Sequence, residues 1–81
     1  MTAFAYMLRC SDGSLYSGST MDLEHRLHEH NHLKSGAKYT RSRRPVTIAY
    51  HEAFDDIAAA RRRENELKAL TRKQKEALLG E

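Results

Sequence analysis

The sequence predicts an α+β fold in which helices pack on a three-stranded antiparallel sheet. Two observations predict this class. Two strand-like segments near the start of the chain are joined by a short turn, and the later segments alternate between helical and strand-like periodicity in the order ββ-α-β-αα. The 81 residues are 40% hydrophobic and 31% charged, which is typical of one globular domain spanning residues 1–81. A chain this short buries a thin core, which excludes a deep cofactor cavity and places any chemistry on an open face.

The first two elements are predicted to form a hairpin. Larger side chains alternate with others from Phe4 to Cys10, which is the pattern of a half-buried strand. Residues 11–14 are Ser-Asp-Gly-Ser, and their glycine permits the left-handed backbone of a tight turn. Residues 15–20 then return as the second strand.

The middle of the chain predicts a helix, a loop and a third strand. Asp22 is a good N-cap for a helix that ends near His32 or Leu33. Residues 34–45 are predicted to form a loop, because Gly36 ends the helical pattern and Pro45 suits the entry of a strand better than its centre. The third strand is predicted over residues 46–53.

Two helices complete the prediction. Asp55 or Asp56 caps a helix over residues 57–70. Thr71 and Gln74 have the spacing of a capping box at the start of a last helix, which Gly80 ends.

Polar residues interrupt the inward faces of these helices. At about 100° per residue, the leucines at positions 23, 27 and 33 define an inward arc of the first helix, and Arg26 and His30 fall inside it. Glu64 falls in the inward arc of helix 57–70 in the same way. Such residues are costly in a core unless they are paired or functional, so these three are candidate functional residues.

Two structural explanations of the same residues are open at this stage. Arg26 can pair with Glu64 as an ion pair at the edge of the sheet, or Glu64 can pair with Arg61 or Lys68 along its own helix. Periodicity alone does not choose between structure and function.

Positive charge is concentrated in the predicted loop. The chain has 14 Lys and Arg against 11 Asp and Glu, a net charge of +3. The loop holds five cations and a tyrosine with no acidic residue, namely Lys34, Lys38, Tyr39, Arg41, Arg43 and Arg44. This composition predicts contact with nucleic-acid phosphates and stacking of one base on the tyrosine, with little sequence preference. A solvated loop is the alternative.

Several classes of protein are excluded. No apolar run approaches the roughly 20 residues of a membrane span, and no basic segment precedes an apolar one at the start of the chain. The protein is therefore expected to be cytoplasmic, without a membrane partner. Cys10 is the only cysteine, which excludes an internal disulfide and a Cys-rich zinc site.

Two tripeptides in the hairpin carry a resemblance to a known family. Phe4-Ala5-Tyr6 is followed, after nine residues, by Tyr16-Ser17-Gly18, and the pair resembles the tripeptides that name the GIY-YIG nuclease superfamily. The likeness continues in order to about Leu70 through these segments: Asp22-Leu23-Glu24-His25-Arg26-Leu27, Glu29-His30-Asn31, Gly36-Ala37-Lys38-Tyr39-Thr40, Arg44-Pro45-Val46 and Ala60-Arg61-Arg62-Arg63-Glu64. The chain is similar to the small single-domain bacterial branch, whose sheet resembles that of the structure-specific repair nucleases. Ser19 stands where some members carry a lysine.

The resemblance implies cleavage of DNA phosphodiester bonds with one metal ion. It implies that Glu64 binds Mg²⁺ or Mn²⁺, that Arg26 binds the phosphate, that Tyr16 orients or deprotonates the attacking water and that Tyr6 positions it. A free tyrosine has a pKa of about 10 and is a poor base at neutral pH. Either the metal or Arg26 stabilises a phenolate, or His30 relays the proton, and the sequence leaves these routes open.

The expected function is that of a Mg²⁺-dependent endonuclease, with branched or nicked DNA in repair or recombination as the expected substrate. No residue identifies a targeting protein partner, and the oligomeric state is open. One alternative is a non-catalytic nucleic-acid-binding module, and another is an interaction domain in which Arg26 and Glu64 form a structural pair. A nuclease requires these two residues to converge with Tyr6 and Tyr16 beside the basic loop.

Overall fold

The computed structural model describes residues 1–80 and has the predicted α+β architecture. Its strands and helices, in chain order, are β1 (Ala3–Arg9), β2 (Leu15–Thr20), α1 (Leu23–His32), α2 (Lys38–Arg41), β3 (Thr47–Phe54), α3 (Ile57–Ala69) and α4 (Arg72–Leu78). The strands form one antiparallel sheet in the order β2-β1-β3. The prediction of the fold class is confirmed, and the added element is α2, a single helical turn inside the predicted loop.

The central strand β1 is covered on both faces. Tyr6 and Leu8 belong to a core cluster on the α1 side of the sheet, whereas Ala5 and Met7 pack against Leu67 of α3 on the other side. The prediction of a half-buried strand is therefore wrong. The alternation along β1 places large side chains on one face of the sheet and small or flexible side chains on the other. Helices cover both faces, so both sets are buried.

The helix α1 begins and ends close to the predicted positions. Asp22 caps it by accepting a hydrogen bond from the His25 amide at 3.0 Å. Leu23 and Leu27 pack against the core as predicted. Leu33 is 38% exposed, so its placement in the inward arc is wrong, because the helix ends at the preceding residue and the backbone at position 33 is extended.

The helix α3 follows its predicted pattern. Asp56 caps it by accepting from the Ala59 amide at 2.8 Å. Ala60 and Leu67 are fully buried against the sheet. This face therefore fixes the rotation of α3, and that rotation aims Glu64 at β2.

The segment after α1 is tied to that helix by polar contacts. Arg44 donates to the carbonyl of His30 at 2.6 Å and to that of Leu33 at 2.5 Å, which satisfies acceptors that a helix end leaves unpaired. Asn31 bonds both backbone groups of Val46, at 2.7 and 3.0 Å, and so joins α1 to the start of β3. These contacts hold the basic loop against the helix that carries Arg26 and His30.

Hydrogen bonds attach the last helix, α4, to the hairpin. The capping box predicted at Thr71 and Gln74 is present. Glu76 accepts two hydrogen bonds from Arg9 of β1, at 2.6 and 2.9 Å. No helix among the described residues combines the length and apolar character needed to cross a membrane.

Candidate nuclease site

Tyr6 and Gly18 lie opposite each other in the β1–β2 pair. The Tyr6 ring lies so close to the backbone of Gly18 that a Cβ atom at position 18 would overlap its Cζ and hydroxyl oxygen. A glycine is needed here because any side chain would take the space of the ring. The glycine of the second tripeptide therefore makes room for the tyrosine of the first.

Tyr6 is the first member of a buried hydrogen-bonded chain. Its hydroxyl lies 2.9 Å from His30 Nε2, and His30 Nδ1 lies 2.9 Å from Thr40 Oγ1. The Thr40 hydroxyl donates to the Ala37 carbonyl at 2.9 Å. Because that hydroxyl has one proton to give, we assign a proton to His30 Nδ1 in preference to the longer 3.4 Å approach of the Ala37 amide. His30 Nε2 then accepts the Tyr6 proton.

The pKa of His30 agrees with this assignment. Burial, followed by the positive charges of Arg26 and Arg44, lowers the pKa of His30 to about 4, against the opposing charge of Glu29. The imidazole is therefore neutral at pH 7. A neutral ring has one donor and one acceptor nitrogen, as the chain requires.

The other three candidate residues all influence the Tyr6 hydroxyl electrostatically. Burial raises the pKa of Tyr6 to about 12, and a hydrogen bond and the charge of Arg26 oppose that rise. The charges of Tyr16 and Glu64 also raise the pKa of Tyr6, so both lie within electrostatic reach of it. Tyr6 therefore keeps its proton at neutral pH and acts as a hydrogen-bonding group.

Arg26 is held in place without being enclosed. Its guanidinium contacts Glu29 at 3.3 Å and donates to the Ser35 carbonyl at 3.0 Å, in addition to its interaction with Tyr6. The side chain is 25% exposed, so part of the guanidinium can bind an anion from solvent. The alternative of a structural pair with Glu64 is not realised, since Arg26 and Glu64 have other ion-pair partners.

The ring of Tyr16 is fixed by its neighbours. It contacts the His30 ring edge-on at 5.4 Å and stacks on the Tyr39 ring at 5.7 Å, measured between ring centres. The Arg43 guanidinium lies 3.9 Å from the centre of the Tyr39 ring and is anchored by Asp12 at 3.0 Å. His30 therefore contacts Tyr16 only through packing of the two rings, because its ring nitrogens bond Tyr6 and Thr40. Tyr39 supports Tyr16, and stacking of a base on Tyr39 stays a prediction.

Both carboxylate oxygens of Glu64 have a partner. Oε1 accepts from the Ser19 hydroxyl at 2.5 Å, and Oε2 lies 2.6 Å from Lys68 Nζ. The Glu64 side chain is only 17% exposed. Of the two helical partners that periodicity left open, the structure shows Lys68.

This carboxylate suits a divalent metal ion of the Mg²⁺ or Mn²⁺ type. Among residues 1–80, no three His, Cys, Asp or Glu side chains gather as they would in a closed zinc site, and no enclosed pocket forms. One carboxylate beside a hydroxyl on an open surface fits an ion that keeps several waters and shares phosphate oxygens with a substrate. The donor set of Glu64 and Ser19 therefore fits a one-metal site.

The predicted nucleic-acid contacts fall into two groups. Arg43 and Arg44 bind other parts of the protein, namely Asp12 and the end of α1. Lys34, Lys38 and Arg41 are exposed and stay candidates for phosphate contact. Through the contact of Tyr39 with Tyr16, the basic loop adjoins the four groups at the Tyr6 hydroxyl.

Three further residues shape the site and were not predicted as part of it. Lys68 lies one helical turn after Glu64, and that spacing was the only signal in the sequence. Ser19 reaches Glu64 across the sheet–helix contact, and Thr40 reaches His30 from α2. Neither contact has a sequence signal, because each depends on how elements distant in the chain pack together.

Comparison with known proteins gives consistent matches. A family model described as the GIY-YIG catalytic domain matches residues 2–77. A UPF0213 protein of Halobacterium salinarum is 52% identical over 73 residues, which cover 90% of this chain and 94% of that protein. A UPF0213 protein of Bacillus pumilus is 50% identical over 78 residues, which cover 96% and 79% of the two chains.

Two solved structures are similar over almost the whole chain. The solution NMR structure of a UPF0213 protein from Bacillus halodurans has a TM-score of 0.62 and 41% sequence identity, covering 99% of this chain and 84% of that one. The solution NMR structure of a protein from E. faecalis has a TM-score of 0.65 and 45% identity, with the same coverage. Fold and sequence therefore point to the same group of small proteins.

Proposed function

This chain belongs to the GIY-YIG family, a family of nuclease domains, and on that premise we propose that it is a Mg²⁺- or Mn²⁺-dependent endonuclease that cuts DNA. One observation carries the proposal. Tyr16 of β2, Arg26 of α1 and Glu64 of α3 all lie within electrostatic reach of the Tyr6 hydroxyl of β1, and the side chains of Arg26 and Glu64 are partly exposed. A phosphate, a water and a metal ion need such a combination of a cation, phenols and a carboxylate.

Arg26 is the group that binds the scissile phosphate in this proposal. Its fork of N–H donors matches phosphate oxygens, and its contacts with Glu29 and Ser35 hold it before substrate arrives. Tyr6 adds to that positioning. Because its proton goes to His30, the lone pairs of the Tyr6 oxygen are available to Arg26.

Tyr16 is the group that acts on the attacking water. Tyr6 keeps its proton at neutral pH, and both His30 ring nitrogens are engaged, which leaves Tyr16 as the hydroxyl free to orient the water or take its proton. The packing of its ring against His30 and Tyr39 aims that hydroxyl. A divalent ion held by Glu64 would supply positive charge to the phosphate and to the leaving oxygen.

The shape of the DNA is proposed to decide which substrate is cut. Lys34, Lys38 and Arg41 can bind phosphates, which carry no sequence information. The described residues form an open face without a pocket that could enclose a base. These features favour recognition of DNA shape over a particular base sequence. Branched or nicked DNA, as arises in repair and recombination, is the substrate we propose on the family resemblance.

The test is cleavage of supercoiled and branched DNA in the presence of Mg²⁺. We expect Glu64→Gln to lower the rate by about 100-fold, because it removes the charge that holds the metal. Glu66→Gln is the matched control, since that carboxylate lies on the same helix, pairs with Arg63 and is 64% exposed. The control should cut within about twofold of the wild type.

The outcomes separate the competing functions. Equal nicking by the wild type and Glu64→Gln would assign the activity to a contaminant and overturn the proposal. Salt-dependent DNA binding without cleavage by any of the three proteins would support a non-catalytic binding module instead.

A further inference from the structure

The Glu64 carboxylate is already neutralised by a cation of the protein itself. Lys68 Nζ lies 2.6 Å from Oε2, and the Ser19 hydroxyl bonds the other oxygen. Each oxygen of the carboxylate proposed to hold the metal thus already has one partner from the protein, although each oxygen has a second lone pair. A divalent ion that binds here must share the carboxylate with the Lys68 ammonium or displace it.

Lys68 is the partner that can leave. Its side chain is 51% exposed, whereas that of Glu64 is 17% exposed. An ammonium on a four-carbon stem has three donors and reorients freely in water, whereas Ser19 has a short side chain fixed to the sheet. An ammonium and a divalent cation also repel each other at one carboxylate oxygen.

The Glu64 carboxylate holds the Lys68 ammonium near β2. One oxygen of that carboxylate accepts from Ser19 of β2, and the other lies 2.6 Å from Lys68 Nζ. Ser19 lies on the same strand as Tyr16, the residue proposed to act on the water. Because the Lys68 side chain is 51% exposed and its stem is long, the released ammonium can turn toward a phosphate bound at this strand.

We propose that Lys68 is a second, mobile cation of the nuclease site, which competes with the divalent ion for Glu64 and binds a DNA phosphate after it is displaced. This inference rests on the proposed function and goes beyond it, because it assigns a role to a residue outside the four groups around Tyr6. It explains how a half-buried carboxylate stays ordered when no metal is bound. An ordinary i,i+4 ion pair would stabilise the helix slightly and do nothing else.

The competition is tested by Mn²⁺ titration followed by NMR, because the paramagnetic ion broadens amide signals near its site. The amides of Ser19 and Glu64 should broaden first in the wild type. In Lys68→Met they should reach half-broadening at a Mn²⁺ concentration about two- to fivefold lower, the factor expected from removal of a surface ion pair. Lys73→Met, which removes one exposed positive charge from α4, is the control and should not change the midpoint.

The phosphate contact is tested by cleavage at saturating Mn²⁺. Lys68→Met should cut about tenfold more slowly despite binding the ion more tightly, the loss expected for one charged hydrogen bond. Lys68→Arg keeps a positive charge of similar reach and should recover most of the rate. Amide spectra without metal report whether each variant is folded.

Each outcome has a definite reading. An unchanged Mn²⁺ midpoint in Lys68→Met, with local broadening that Glu64→Gln abolishes, overturns the competition and leaves the proposed function intact. Full cleavage by Lys68→Met overturns the phosphate contact. Broadening that Glu64→Gln leaves unaltered places the ion elsewhere, and the metal role of Glu64 then fails together with this inference.

Discussion

Tyr6 occupies the space that a side chain at position 18 would need, which couples the two tripeptides through one contact. The ring passes over β2 at Gly18 and places its hydroxyl against His30. A single missing Cβ atom thereby sets the position of a hydroxyl that interacts with Arg26 and feels the charges of Tyr16 and Glu64.

We predict that Gly18→Ala lowers the free energy of unfolding by about 1–3 kcal/mol, the usual cost of overfilling a packed site. The new Cβ atom would push the Tyr6 ring from His30 and slow DNA cleavage. Denaturant unfolding measures the change in stability. The NMR signals of the His30 ring report the displacement of the Tyr6 ring, and the rate of DNA cleavage is measured directly.

The control for this prediction is a double-mutant cycle. Tyr6→Leu removes the ring atoms that the new Cβ atom would meet, so Gly18→Ala should cost little in that background. An equal cost in both backgrounds would show that the contact with Tyr6 is not the cause.

Single residues also show how far the sequence could predict the site. Arg26, His30 and Glu64 stood out because polar residues interrupted an apolar arc, and the structure brings them toward the sheet. Lys68 entered only as one possible ion-pair partner of Glu64, and Ser19 only as a departure from a lysine of the family. Neither pattern predicted their contacts, because a serine in a strand and a lysine on a helix fit many surroundings. The pattern predicts which face a residue occupies but not which atom it touches.

At the scale of elements, the basic loop shows the same limit. Its cations look equivalent in the sequence, yet Arg44 bonds the end of α1 while Arg41 faces solvent. The turn α2 was not predicted either, because four residues are too short to show a helical period. Its stability depends on Thr40, whose hydroxyl bonds both Ala37 and His30.

We predict that substitution of Arg44 affects mainly stability, whereas substitution of Arg41 affects mainly DNA binding. Arg44→Met should lower the free energy of unfolding by about 1–2 kcal/mol, because helix carbonyls lose charged hydrogen bonds. Arg41→Met should leave stability unchanged and weaken DNA binding, reducing the slope of log K against log salt by about 0.9. Thermal unfolding and binding titrations at several salt concentrations measure the two effects.

The reverse pattern would change the assignment of the loop. A reduced salt slope for Arg44→Met, with unchanged stability, would mean that this guanidinium leaves the helix end and contacts DNA. An unchanged slope for Arg41→Met would remove that residue from the proposed interface.

At the scale of the whole molecule, His30 of α1 links β1 and α2 to its own helix through hydrogen bonds to Tyr6 and Thr40. Its folded pKa of about 4 lies below the unfolded value of 6.5, so the unfolded chain binds a proton that the folded protein excludes. The contribution of neutral His30 to the free energy of unfolding is therefore fully present above pH 6.5 and is lost as the pH falls toward 4. For a pKa shift of this size, that contribution is about 3 kcal/mol.

The measurement is the free energy of unfolding at several pH values between 7 and 4. His30→Asn should be less stable than the wild type at pH 7 but should lose less stability between pH 6.5 and 4.5. The exposed His28 is the control, and His28→Gln should keep the wild-type pH dependence. A wild-type slope in His30→Asn would assign the loss to other groups.

The fold class was predictable because periodicity records one-sided burial over many residues, and three strands with amphipathic helices leave few ways to close a core. The sequence did not predict which helices cover each face of the sheet. Leu33 and the strand from Ala3 to Arg9 show this, since burial at a helix end or in a central strand depends on neighbours that are distant in the chain.

Glu64 comes last in chain order among the four groups at the Tyr6 hydroxyl, on a helix that follows every strand. A polypeptide growing on the ribosome thus contains both phenols and the guanidinium before it contains the carboxylate at position 64. Under the proposed function, a prematurely terminated copy that lacks α3 also lacks the carboxylate expected to hold the metal ion and should leave DNA uncut.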